Sequence, residues 1–118
     1  MIEDNRILSG SAGIYADSAA SGGYGLGYID LAGASVSLAD CPAASSLTIG
    51  YAADGAGRLG LYINGTFSQL VAFPSTGAWT GAGAYSTVNV SVTIPSGATV
   101  KLQYDSGDSP ANIDYITF

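Results

Sequence analysis

The sequence predicts an all-β fold of two packed antiparallel sheets, built from eight or nine short strands. Three observations carry this. Apolar residues recur with a period of two, turn-forming residues separate the alternating runs, and no stretch keeps a helical period. Seventeen glycines in 118 residues match a chain that turns often. The length fits one domain spanning residues 1–118.

The elements follow in order. The chain begins almost inside a strand-like segment, and a further apparent strand ends at Cys41, before Pro42. Leu47, Ile49 and Tyr51 alternate with polar or small residues, as do Leu59, Leu61 and Ile63. Asn64-Gly65 then separates that run from Phe67–Phe73. This dipeptide predicts a tight hairpin, because both central residues of a type I′ turn take positive φ. Val88, Val90, Val92 and Ile94 form the longest alternation. The turn Pro95-Ser-Gly97 divides it from Val100, Leu102 and Tyr104. Each run reads as a strand with one face on a core and one face wet. Three segments rich in Gly, Ala and Ser read as loops: Ser9–Gly25, Ala52–Gly57 and Pro74–Ala84. Loops on a rigid sandwich are where binding usually resides.

Composition narrows the function. Charged residues make up 10%, hydrophobic ones 47%, which is the reverse of a disordered chain. Net charge is −6, with only Arg6, Arg58 and Lys101 basic. So few cations cannot neutralise a phosphate backbone or an anionic bilayer, so neither nucleic acid nor a membrane surface is an expected partner. No apolar run approaches the ~20 residues that span a bilayer. No signal peptide is visible either, and the expectation is a piece of a larger secreted, extracellular protein. Cys41 has no second cysteine to pair with and no basic neighbour in sequence to activate it, so it reads as a small buried or loop thiol. Asn64-Gly-Thr66 and Asn89-Val-Ser91 match the N-glycosylation pattern, which is frequent in Ser/Thr-rich chains.

The chemistry of an enzyme is missing. Histidine is absent, which removes nucleophilic triads and most zinc sites. No phosphate-cradling GxxxxGK[ST] occurs. Paired carboxylates remain, but the nine acids are scattered over turns, and nothing places two of them across a cleft as glycoside hydrolysis requires. The sequence therefore predicts no intrinsic catalysis.

Four stretches, taken in order, resemble carbohydrate-binding modules of family 6 and the related family 35. They are Asp4-Asn-Arg-Ile-Leu-Ser-Gly10; Gly27-Tyr-Ile-Asp30 followed by Gly33; Leu61-Tyr-Ile-Asn-Gly65 with Thr76-Gly-Ala-Trp79 and the run from Tyr85; and Asn112-Ile-Asp-Tyr-Ile116. The resemblance implies a jelly-roll β-sandwich with a sugar site among the loops at one end. It also implies two aromatic rings flanking a sugar and an amide bonding to its hydroxyls. Tyr28 matches one ring and Asn112 the amide. Either Trp79 or Tyr85 matches the second ring, with Thr80–Ala84 resembling an insertion between the two positions. Aromatic faces suit the C–H faces of pyranoses, and planar amides suit their hydroxyl edges. Trp79 either meets ligand or caps the core edge; Tyr15 and Tyr24 either shape the site or pack on the surface; Asp30 either orients the site or caps a turn.

The resemblance further implies a structural calcium ion, held by Asp114 and by Asp4 or Glu3, with Ile2 standing where the family places its first acid. Ala34-Ser35 also departs from the family, which often has Asp-Trp there. The expected function is non-catalytic binding of a polysaccharide or oligosaccharide, with the module tethered to a glycan-degrading catalytic domain in the parent protein. The alternative is a structural or adhesion sandwich of a secreted or cell-surface protein without a sugar site. The two differ in one feature: sugar binding needs Tyr28 and Trp79 exposed across a cleft beside Asn112.

Overall fold

The computed structural model describes residues 6–118. It contains ten strands: β1 (Arg6–Ser9), β2 (Gly13–Ala16), β3 (Tyr24–Gly27), β4 (Ser35–Cys41), β5 (Ala44–Ala52), β6 (Gly57–Ile63), β7 (Thr66–Phe73), β8 (Tyr85–Ile94), β9 (Ala98–Gln103) and β10 (Asn112–Thr117). One sheet has the order β1-β4-β9-β6-β7, the other β2-β3-β10-β5-β8, and neighbours pair antiparallel. Only β2–β3 and β6–β7 join neighbours within a sheet; every other connection crosses between sheets. This is the jelly-roll sandwich expected from the sequence, with one or two strands more.

The extra order lies in Ser9–Gly25, which the sequence predicts as loop. It holds β2, a 3-10 turn at Ser21–Gly23 and the start of β3. The glycines that hide β3 in the sequence have a packing reason. The Tyr15 ring crosses Gly25 so closely that a Cβ there would meet its hydroxyl and ring carbons. Pro74–Ala84 contains no strand, as expected.

Alternation sets the core. Leu47, Ile49 and Tyr51 of β5, Leu59 and Leu61 of β6, and Val100 and Leu102 of β9 are buried in one cluster with Phe73, Val90, Ile94, Ile113 and Ile116. Tyr51 and Phe73 meet edge-to-face with ring centres 5.0 Å apart, and the Tyr51 hydroxyl donates to the Pro74 carbonyl at 2.7 Å. Ala34, at the position where the resembled family carries a larger residue pair, is fully buried in the same cluster. Cys41 is buried, its thiol donating to the Leu38 carbonyl, and burial pushes its pKa up.

The β6–β7 hairpin is as predicted. Asn64 and Gly65 take φ of 51° and 80°, and Asn64 Oδ1 accepts the Thr99 N–H at 3.0 Å. At the other end of the sandwich the connections 10–12, 28–34, 53–56, 74–84 and 104–111 come together. Ser11 reaches Tyr28, Thr76 bonds Ala53, and Asn112 reaches Trp79.

Candidate functional site

The connections 28–34, 74–84 and 104–111, with β2, β3 and β10, border a cleft of about 450 Å³, lined by Tyr15, Tyr28, Asp30, Trp79, Thr80 and Asn112, with Ala16, Gly27 and Pro110 completing it. Leu26 and Ile113 point into the core, so alternation turns Gly27 and Asn112 outward to form the floor. Gly27 is needed there: a Cβ would come within 3.0 Å of Asn112 Oδ1 and 3.1 Å of the Tyr15 ring.

Tyr28 directly follows β3 and is 60% exposed. Its φ of 60° lies in the left-handed region, which a bulky residue enters only where its surroundings hold it. The Ser11 hydroxyl supplies that hold by donating to the Tyr28 carbonyl at 2.6 Å, while Asp30 Oδ1 lies 3.3 Å from the same hydroxyl. The ring edge rests against Gly13. One side is thus supported and the rest faces solvent.

Trp79 lines the same cleft and is 36% exposed. Its carbonyl accepts the Asn112 Nδ2–H at 2.9 Å. The next residues of its loop are held elsewhere: Asp17 Oδ2 accepts the Gly81 N–H and the Tyr85 hydroxyl, both at 2.7 Å. Asp17 Oδ1 accepts the Ala19 N–H at 3.1 Å. The Gly81 N–H, then the Tyr85 hydroxyl and the Ala19 N–H, hold the Asp17 carboxyl below the usual carboxylate range. Burial raises the Tyr85 hydroxyl far above the ordinary tyrosine value, and Tyr15 and Asp17 raise it further. Burial likewise raises Tyr15.

The structure therefore brings Tyr28, Trp79 and Asn112 to one cleft and places Tyr85 outside its lining. Alternation along β8 turns Tyr85 outward while Val90 and Ile94 enter the core, and its hydroxyl is taken by Asp17 and Tyr15 rather than presented to a ligand. Tyr15 lines the cleft; Tyr24, though 59% exposed, does not. Asp30 lines it too. Asp17, Thr80 and Pro110 were not singled out by sequence. Asp17 meets its partners across 64 and 68 residues of chain, a contact no local pattern announces.

Of the residues considered for calcium, Glu3 and Asp4 lie outside the described part of the chain. Asp114 is buried, and its Oδ1 accepts the Ser21 N–H at 2.7 Å. Among the described residues no three His, Cys, Asp or Glu side chains converge. A buried carboxylate is the oxygen donor a hard cation takes, and Asp114 fits as one member of such a set.

Comparison with solved structures identifies the fold. A family 35 carbohydrate-binding module from Clostridium thermocellum superposes with a TM-score of 0.86 at 24% identity, covering 98% of this chain and 93% of that one. A family 35 module from Paenibacillus barcinonensis gives a TM-score of 0.83 at 19% identity, again covering 98% and 93%. An exo-β-1,3-galactanase from Phanerochaete chrysosporium, in a structure with galactose, matches with a TM-score of 0.80 at 24% identity; 98% of this chain corresponds to 27% of the enzyme. The chain has the family 35 carbohydrate-binding-module fold. No protein-family model matches the sequence, and no curated protein does.

Proposed function

We propose that this chain is a non-catalytic carbohydrate-binding module that receives a neutral pyranose in the cleft between Tyr28 and Trp79. The observation that carries the reading is that a 60% exposed tyrosine, a 36% exposed tryptophan and a side-chain amide line one cleft. Ring faces supply apolar surface for sugar C–H groups, while Asn112 and Asp30 supply polar edges for hydroxyls. A structural sandwich without a sugar site would bury these rings, and neither belongs to the core cluster.

The polarity of the cleft favours uncharged sugars. Among the described residues, Asp30 is the carboxylate lining it, and no basic residue lines it. Arg58 is engaged with Asp108, and the Lys101 ammonium lies 4.6 Å above the Tyr62 ring. The module acts by proximity, keeping an attached catalytic domain at a polymeric substrate in a secreted parent protein. The galactanase neighbour, whose 27% match is a part of a larger enzyme, supports that arrangement and puts β-1,3-galactan first among polysaccharides to test. A calcium ion held by Asp114 with Asp4 or Glu3 completes the proposal as a structural stabiliser. A melting temperature that drops on chelation supports it, and one that does not move removes it.

Affinity electrophoresis on neutral plant and algal polysaccharides tests the central reading. Wild type is expected to be retarded, and Tyr28→Ala and Trp79→Ala to migrate freely with unchanged far-UV circular dichroism. Retention of both variants equal to wild type overturns it.

A further inference from the structure

We infer that Asp17 is a positioning residue that fixes two aromatic residues of the cleft before ligand arrives, holding the Trp79 loop through Gly81 and Tyr15 through Tyr85. The inference rests on the reading of the cleft as a sugar site, but its test does not require a sugar.

The loop from Pro74 to Ala84 has little to pack with. Between Trp79 and Tyr85 its residues are Thr80, Gly81, Ala82, Gly83 and Ala84, of which Ala84 alone is buried. Hydrogen bonds must therefore set its position. At its start Thr76 is tied to Ala53, the Thr76 N–H donating to the Ala53 carbonyl at 2.8 Å and the Ala53 N–H to Thr76 Oγ1 at 3.0 Å. Beyond Thr76 two side chains from other elements reach in: Asn112 to the Trp79 carbonyl and Asp17 to the Gly81 N–H. Asp17 supplies the charged one, and an ionised acceptor makes a shorter, stronger bond than a neutral one.

Proton directions link Tyr15 to the same oxygen. Tyr85 has one hydroxyl proton and gives it to Asp17 Oδ2 at 2.7 Å. The Tyr15 hydroxyl, 2.9 Å from that of Tyr85, must then be the donor in that pair. Tyr15 lines the cleft. Asp17 is itself anchored, its N–H donating to the Gly23 carbonyl at 3.0 Å and its carbonyl accepting from Ala20 at 3.0 Å. A single carboxylate on a fixed turn thus receives one bond from the Trp79 loop and one from Tyr85, which in turn accepts from Tyr15. Walls held in their binding geometry spare the ligand the cost of ordering them.

Trp79 is the only tryptophan, so its fluorescence reports this loop alone. In ligand-free protein, Asp17→Ala is expected to lower the fluorescence anisotropy and raise quenching by acrylamide. Tyr85→Phe, which keeps the ring and leaves the Gly81 bond in place, is expected to keep Trp79 fluorescence near wild type while lowering affinity through Tyr15. The double variant should be no worse than Asp17→Ala, because both changes act through one oxygen. Affinity for β-1,3-galactan is expected to fall by up to about tenfold in Asp17→Ala, the weight of re-ordering one side chain and its loop on binding. Fluorescence identical to wild type in a folded Asp17→Ala overturns the inference; should that variant not fold, identical fluorescence in Asp17→Leu, which keeps the branched shape without the acceptor oxygens, does so. Loss of retention in Trp79→Ala with no fluorescence change at Asp17 leaves the sugar site standing and the clamp refuted. A loosened loop in a protein that retains no polysaccharide does the converse.

Discussion

The side chain of Asn112 donates to the backbone carbonyl of Trp79 at 2.9 Å, so the amide that faces the cleft also holds one of its walls. The bond joins the start of β10 to a loop 33 residues away. Part of the amide's capacity is structural, and a mutation there removes two things together.

Asn112→Asp tests whether the donor is what matters. A carboxylate keeps the size but replaces the NH2 donor with a second acceptor oxygen, so it has no N–H for the Trp79 carbonyl and sets two oxygens facing each other. Sugar affinity is expected to fall as far as in Asn112→Ala, and Trp79 quenching by acrylamide to rise in both. If Asn112→Asp binds like wild type, the donor is not needed and the loop is held by other contacts.

The pH response follows from Asp17. Its folded pKa is lowered, so its contribution to stability is fully present above the ordinary value of 3.8 and is lost as pH falls through the folded value. Asp105 is lowered in the same direction, chiefly by the Tyr62 hydroxyl at 2.6 Å and then by Gln103. Comparing wild type with Asp17→Asn cancels Asp105. The difference in melting temperature is expected to be constant from neutral pH down to about pH 5 and to shrink below about pH 4. A difference that widens on acidification contradicts the assignment.

Much of the fold was readable from a few residues. Val88 to Ile94 and Val100 to Leu102 declared β8 and β9 by alternation, and Asn64-Gly65 declared the hairpin. β2 and β3 were not readable, because glycine in β3 is chosen to seat the Tyr15 ring and that signal looks like a loop. The cleft divides in the same way. Tyr28, Trp79 and Asn112 came from motifs, whereas Asp17 and the true place of Tyr85 depend on contacts between distant segments.

The hairpin gives a clean test of backbone strain. Gly65 has φ of 80°, and a Cβ there would meet nothing within 4 Å. Gly65→Ala is therefore expected to cost about 1 kcal/mol from conformation alone, read by chemical denaturation with an unchanged m-value. Asn64→Ala should cost a similar amount or more, since it also leaves the Thr99 N–H without its acceptor.

Asp108 stabilises the connection between β9 and β10. Its side chain is 3% exposed and accepts from Arg58 Nε at 3.2 Å and from the Asp105 N–H at 2.8 Å. Arg58 is 47% exposed, so solvent screens its half of the pair. Asp108→Ala is expected to destabilise by about 1–3 kcal/mol, because it leaves the partly buried Asp105 N–H unmet. Arg58→Ala is expected to cost only about 1 kcal/mol after screening, although it strands a buried carboxylate. Equal losses would mean that the ion pair itself, rather than the buried acceptor, carries the stability.

Charge selectivity is the sharpest prediction for the cleft. A uronate entering it would meet the Asp30 carboxylate, with the Asp17 carboxylate beyond the lining and no cation lining the site. Repulsion between like charges near the surface is screened over about 8–10 Å at physiological salt. Retention on neutral β-1,3-galactan should therefore be insensitive to ionic strength, whereas retention on a uronate-rich polymer should be weak and improve as salt is added. Asp30→Asn should raise uronate binding and reduce its salt dependence without loss of neutral binding, since the amide keeps a hydrogen-bonding edge. Affinity electrophoresis at low and high salt reads both. Tighter binding of the uronate polymer at low salt would mean that a cation completes the site, and the neutral-sugar reading would fall.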